Sequence, residues 1–343
     1  MLYPSKPRPG DRVAILSPSA GLPGLFPDVF ELGLRRLRDE FGLEPVEYPT
    51  TRTMNADPRD RARDINAAFA DPSIRAIMAS IGGDDQITVI GHLDGELIRA
   101  DPKPFFGYSD NTNLLNYLFH QGVVGYHGGS VMVHLGRGGS LQPVSARSLR
   151  AALFTSDWYA LSPAEAYTDE HGDWADLANL EVEPELMPGE GWSWHGPRRA
   201  VEGRLWGGCL EVVSWILQAG RVAENEAFTG GVLVLETSEE MPSAAEVGYL
   251  LRSMGERGLL ERFAAILIGR PKAWDSETRQ DLAARRAYAA DQRAAVLGAV
   301  SVYNPDAVLV FDLDIGHTDP QLILPIGGLA RVDGIERRIT VRY

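Results

Sequence analysis

Lys103-Pro104-Phe105-Phe106-Gly107-Tyr108-Ser109-Asp110-Asn111-Thr112-Asn113-Leu114-Leu115-Asn116-Tyr117-Leu118-Phe119 is the stretch whose reading settles the fold class. The apolar run after Pro104 predicts a short buried strand over 104–108. The polar residues that follow it lead into a leucine-rich segment and predict a helix over 110–120. Ser109 then stands on a tight strand-to-helix turn, where Gly107 permits the close approach or unusual backbone angles such a turn demands. The free N–H groups of the helix's first turn face the same way and can hold an oxyanion. The same residues also fit a serine that only caps a helix, and Asn111 breaks the full G-x-S-x-G pattern.

Outward from this turn, strands and helices alternate. Strands are expected over 13–16 and 74–81, and helices over 28–40 and 57–70. Such alternation implies a parallel sheet with helices on both faces and a site at the carboxyl ends of its strands. The second half repeats the pattern, with strands over 203–205, 232–235, 264–268, 308–311, 328–332 and 338–343. Helices are expected over 210–217, 244–254 and near 278–297. The expected organisation is α/β throughout: a domain over 1–161, a long connecting loop over 162–199 and a second domain over 200–343. A cleft lies between the two domains.

Two further strings end apolar strands in the second half. Leu235-Glu236-Thr237-Ser238-Glu239-Glu240 follows one, and Gly316-His317-Thr318-Asp319-Pro320 follows the other. A serine hydroxyl is a weak nucleophile at neutral pH; it needs a base for its proton and usually an acid to orient that base. Ser109, Glu236 and His317 can fill these roles, and triads of unrelated folds use several chain orders. Spacing alone leaves open which acid serves the base, and a solvated acidic turn or a structural histidine fits the same strings. In the first half, the strand over 74–81 runs into Gly82-Gly83-Asp84-Asp85. Glycines at the end of a strand let a backbone N–H approach a substrate with no side chain between them.

Composition narrows the function classes. A formal charge of −14 disfavours nonspecific contact with nucleic acid or an anionic membrane. A single cysteine, Cys209, excludes an internal disulfide and fits a reducing compartment. No apolar stretch approaches membrane-spanning length and the first residues lack a hydrophobic leader, so a cytoplasmic enzyme is expected. His127, His134 and the Asp84-Asp85 pair come with no H-E-x-x-H or cysteine cluster, and no phosphate loop with Lys and Ser/Thr is present. Neither metal nor cofactor is expected. An open α/β sheet with a cleft also suits a small-molecule binding module, against which the intact Ser, Glu and His strings argue.

Taken together, these strings resemble the LD-carboxypeptidase family of serine peptidases, and more closely its branch typified by a microcin C self-immunity protein. The resemblance extends to Gly203-Arg204-Leu205-Trp206-Gly207-Gly208-Cys209-Leu210, Ile268-Gly269-Arg270-Pro271 and Pro325-Ile326-Gly327. It implies a flavodoxin-like, amidotransferase-like first domain and a smaller swivelling second one. It also implies a triad of Ser109, Glu236 and His317, oxyanion donors from the N–H groups of Gly83 and Asp110 with Asp84 the neighbouring possibility, and a homodimer. The substrate it implies is an aminoacyl or peptidyl nucleotide, with resistance to microcin-C-type antibiotics; the other branch cleaves murein tetrapeptides. The segment over 162–199 shows little periodicity yet holds Trp174, Trp192 and Trp194 of the chain's 7 tryptophans. Loops of that length tend to be functional, and the resemblance places Trp174 against a purine base. Tryptophans that merely pin a loop to the body give the same pattern.

Overall fold

The computed structural model describes residues 1–343. Fourteen strands join in one mixed sheet. In the first half, Glu44–Glu47, Arg12–Leu16, Ile74–Ala79, Phe105–Gly107 and Gly125–His127 lie side by side and parallel, in that order. In the second half, Ala200–Cys209, Gly231–Glu236, Phe263–Gly269 and Val308–Leu313 repeat the arrangement, with the antiparallel Ser193–His195 at the edge. Leu324–Ile326 joins the halves, antiparallel to Gly125–His127 on one side and parallel to Ala200–Cys209 on the other. Trp158–Leu161, Leu329–Asp333 and Arg338–Arg342 form an antiparallel branch.

Local chemistry accounts for the elements. The parallel strands are near-continuous apolar runs because helices cover both of their faces; every residue of Gly231–Glu236 is buried. Helix Pro27–Phe41 opens on a proline and closes on Gly42 at φ 67°, the left-handed stop that only glycine takes cheaply. Helix Ala244–Glu256 begins with a capping box in which Ser243 and Glu246 satisfy each other's backbone N–H groups. One apolar core of 56 buried residues draws on both halves, from Val13 and Phe30 to Leu205, Val232 and Val341. A second, of 20, lies under Ala244–Glu256 and Leu282–Tyr303. No helix is long and apolar enough to cross a membrane.

Where expectation and structure part, local reasons are visible. The strand expected over 203–205 runs the whole of Ala200–Cys209, since its glycines dilute the apolar signal without breaking the ladder. The helix expected near 278–297 is Leu282–Tyr303: Asp281 caps it by accepting from Ala284 N at 2.8 Å, while Asp275 holds 275–280 as a turn. The serine turn is a single 3-10 turn, Ser109–Asn111, before the α-helix Thr112–His120. The segment over 162–199 has more structure than its sequence suggests. Ala166–Tyr167 pairs with Met187–Pro188, Leu177–Leu180 is a 3-10 turn and Ser193–His195 belongs to the main sheet.

Candidate active site

Ser109 has φ 60°, in the left-handed region that a non-glycine residue enters at a cost of order 1–3 kcal/mol. The unusual angle thus falls on the serine itself and not on Gly107. Its neighbours hold it there. Asn111 Nδ2 donates to the carbonyls of Ile81 at 3.1 Å and Tyr108 at 3.0 Å, tying the serine turn to the Gly82-Gly83 turn. Gln86 Nε2 donates to Asn111 Oδ1 at 2.8 Å, Gln86 N donates to Asp110 Oδ2 at 2.8 Å, and Gln86 Oε1 accepts from Leu114 N at 2.9 Å. Asn111, which spoils the sequence pattern, is therefore the residue that locks the turn. The Asp110 carboxyl is fully buried in this network, and burial raises its pKa above the ordinary range.

Gly82 faces the nucleophile. A Cβ there would stand 2.8 Å from Ser109 Cβ, 2.9 Å from its Oγ and 3.5 Å from Asp110 N. Only a residue without a side chain leaves open the space over Oγ that an incoming carbonyl must fill. Gly83 and Ser109 line the same cavity. Asp84 is exposed and outside the lining. The turn is fastened beyond it, where the Asp85 carboxylate pairs with the buried Arg61 at 2.7 Å.

Glu236 and His317 come from the second half. Glu236, the last residue of its strand, is fully buried, and its Oε2 accepts from His317 Nδ1 at 2.7 Å. Gly316 makes that approach possible: a Cβ there would lie 2.2 Å from Glu236 Oε2. Burial alone drives a carboxyl's pKa up, but the charges of His317 and His127 prevail and hold Glu236 down at about 2. The second oxygen, Oε1, faces His127 Nε2 at 3.6 Å with no hydrogen bond, and His127 is completely buried.

His317 Nε2 is 2.9 Å from Glu239 Oε2. Burial lowers the imidazole's pKa, yet Glu236 on one nitrogen and Glu239 on the other push it up to about 10. The two carboxylates thus favour the imidazolium form of the ring, and Ser109 Oγ makes no hydrogen bond to it. Tyr108 packs on the ring at 4.9 Å between centroids. Ser109 and His317 line one cavity of about 270 Å³, with Glu236 hydrogen-bonded to His317 behind it.

The 162–199 segment forms one wall of this cavity through Thr168, Asp169, Trp174 and Leu180. Thr168 and Asp319 exchange backbone hydrogen bonds of 2.7 and 2.8 Å, stitching the wall to the His317 turn. The three tryptophans divide their work. Trp192 Nε1 donates to the buried Asp314 at 3.0 Å and Trp194 pairs with Val310 in the sheet, so both anchor the segment. Trp174 lines the cavity, half-buried, with its ring edge-on to Phe26 at 5.6 Å.

Sequence reasoning missed Arg137, which is held by Asp319 at 2.5 Å and Glu183 at 3.0 Å. It also missed Lys272, a buried ammonium donating to the Asp169 carbonyl at 2.6 Å; neither residue sits in a motif. No group of three or more His, Cys, Asp or Glu side chains is gathered as a ligand set for a metal. Cys209 is buried, and burial together with Glu236 and Glu211 raises its thiol pKa, so it is a packing residue and no nucleophile.

Residues 13–128 match the LD-carboxypeptidase N-terminal domain and residues 202–332 the LD-carboxypeptidase C-terminal domain. The microcin C7 self-immunity protein MccF of Escherichia coli is 26% identical, over 82% of this chain and 78% of its own. The murein tetrapeptide carboxypeptidase of Pseudomonas aeruginosa is 29% identical over 66% of each chain. A solved structure of MccF in complex with aspartyl sulfamoyl adenosine superposes with a TM-score of 0.86 over 100% of this chain and 99% of that one, at 23% identity. The two matched domains lie on either side of the wall segment and carry the serine turn in one and Glu236 in the other, and the chain belongs to the LD-carboxypeptidase family of serine peptidases.

Proposed function

We propose that this protein hydrolyses an amide-type bond by a Ser109–His317–Glu236 triad. Ser109 Oγ attacks the carbonyl, His317 takes its proton and passes it to the leaving nitrogen, and Glu236 orients the ring and stabilises the imidazolium. The N–H groups of Gly83 and Asp110 receive the oxyanion. Asp84, outside the cavity lining, has no part in this reading.

The substrate class best supported is an aminoacyl or peptidyl nucleotide joined through an acyl phosphoramidate or similar sulfamide-type bond. Cleavage of such a compound would confer resistance to microcin-C-type antibiotics. The observation that carries this reading is Trp174, whose ring lines the cavity that holds Ser109 and His317 while Trp192 and Trp194 anchor the same segment elsewhere. Likeness to the Pseudomonas enzyme favours a second substrate, a murein tetrapeptide losing its terminal D-amino acid. A side-by-side assay of an aminoacyl sulfamoyl adenosine and a murein tetrapeptide decides between them. Turnover of the first, abolished in Ser109→Ala, is expected; turnover of the tetrapeptide alone would transfer the reading to muropeptides.

A further inference from the structure

Glu239 occupies Nε2 of His317, the nitrogen that the serine needs in the proposed triad. The other charged side chains of the cavity have partners of their own. Arg137 is bound by Asp319 and Glu183, Asp169 and Glu170 by Arg285, and Lys272 by the Asp169 carbonyl. Glu239 differs from them: its carboxylate, 59% exposed, is paired with His317 alone. A catalytic cycle must break that pairing, because Nε2 cannot accept the serine's proton while it donates its own to a carboxylate. Once broken, an anionic Glu239 faces the cavity with no hydrogen-bonded cation: the Lys272 ammonium of the same cavity, held by the Asp169 carbonyl, acts on it only through space.

We propose that Glu239 is the receptor for a primary ammonium group on the acyl side of the scissile bond, and that arrival of this ammonium releases His317 to act as base. The proposal rests on the amide-hydrolase reading above. The exchange is balanced: the ammonium replaces Nε2–H as donor to Glu239, the imidazolium gives its Nε2 proton to solvent, and the neutral ring turns to Ser109. A carboxylate within hydrogen-bond distance of Nε2 lies next to the acyl carbon that Ser109 attacks, which is where an aminoacyl group carries its α-ammonium. An N-acylated or neutral analogue would leave His317 locked to Glu239.

Other groups around the ring do not substitute for Glu239. Glu236 holds Nδ1 and remains there throughout. Tyr108, packed on the ring from the serine strand, is a neutral phenol whose pKa burial drives well above its ordinary value. His134, from the Val131–Leu135 turn, is held neutral, its pKa lowered to about 3 by burial and by His317 and His127. His127 touches Glu236, not the ring of His317.

The test measures binding to Ser109→Ala protein by calorimetry, using alanyl sulfamoyl adenosine with its α-amine free or acetylated. A murein tetrapeptide with its diaminopimelate amine free or acetylated runs alongside. The free-amine form of one pair should bind roughly tenfold or more tightly, as a charge-assisted hydrogen bond to a carboxylate warrants. Glu239→Gln in the same background should erase most of that preference. The pair that responds identifies the source of the ammonium. In ¹⁵N spectra, His317 should pass from imidazolium to neutral imidazole when the free-amine probe binds. Equal binding of both forms in both pairs, or a preference that survives Glu239→Gln, overturns the proposal. A Glu239-dependent preference without turnover by the native protein would instead remove the hydrolase reading and leave Glu239 as an ammonium receptor.

Discussion

At the residue scale, the proposed triad is a chain of three side chains whose value depends on their being together. Ser109→Ala, His317→Ala and Glu236→Ala should each lower turnover by orders of magnitude, and the double variants should lose little more than the singles, since the three act as a unit. Near-native turnover by Glu236→Ala would remove Glu236 from the triad. The imidazolium sandwich also predicts a pH signature. Glu236 is depressed to about 2 from an unfolded value near 4.3, so its stabilisation is present above that value and fades as pH falls through about 2. His317 is raised to about 10 from about 6.5; its contribution is complete below about 6.5 and disappears as pH climbs through about 10. Thermal denaturation between pH 6.5 and 10 should therefore show the native protein losing stability relative to His317→Gln. Parallel curves for the two proteins would mean that His317 is not protonated in the folded state.

At the scale of elements, the sequence made the strands legible because parallel strands between helices are apolar along their length, as at 231–236. It made Ser109, Glu236 and His317 legible because each stands at or just past the end of an apolar strand, Phe105–Gly107, Gly231–Glu236 and Val308–Leu313 respectively. Other features were hidden because they depend on pairings across the fold. Gln86 bonds to Asn111 and Leu114, and Glu239 reaches His317, at sequence distances that no local period encodes. The wall over 162–199 read as irregular because its strands are only two or three residues long and pair with distant partners. Trp174 is the part of that wall that admits a sharp test. If its indole stacks on a purine, Trp174→Ala should weaken handling of an aminoacyl nucleotide roughly ten- to a hundredfold, from the 1–3 kcal/mol of a base–aromatic stack. A small substrate without a base should be nearly unaffected, and Trp174→Phe should keep part of the effect. Equal losses on both substrates, with a lowered melting temperature, would show that the edge contact with Phe26 is the residue's whole purpose.

At the scale of the molecule, Ser109 comes from one half of the sheet and Glu236 and His317 from the other, so the proposed activity depends on how the halves are held in register. The link is narrow in the ladder: Leu324–Ile326 pairs with Gly125–His127, and one register pair, Leu205 with Ile326, carries the sheet onward. Gln321 reinforces it. This fully buried side chain donates from Nε2 to the Gly316 carbonyl at 2.7 Å, beside His317, and accepts from Gly129 N at 3.0 Å on the serine side. Gln321→Ala leaves two buried backbone groups unpaired, at about 1–3 kcal/mol each, and frees the His317 turn to drift. A displacement of about 1 Å at a reacting group can cost on the order of a hundredfold in rate. The expected result is a lower melting temperature with unfolding still in one transition, because the main core is shared between the halves. With it should come a fall in kcat larger than the fall in apparent substrate affinity. Gln321→Glu should be at least as damaging, since a carboxylate in place of the amide nitrogen confronts the Gly316 carbonyl instead of donating to it. A variant that loses stability yet keeps full kcat when assayed well below its melting temperature would mean that the shared core, and not Gln321, sets the alignment of serine and histidine.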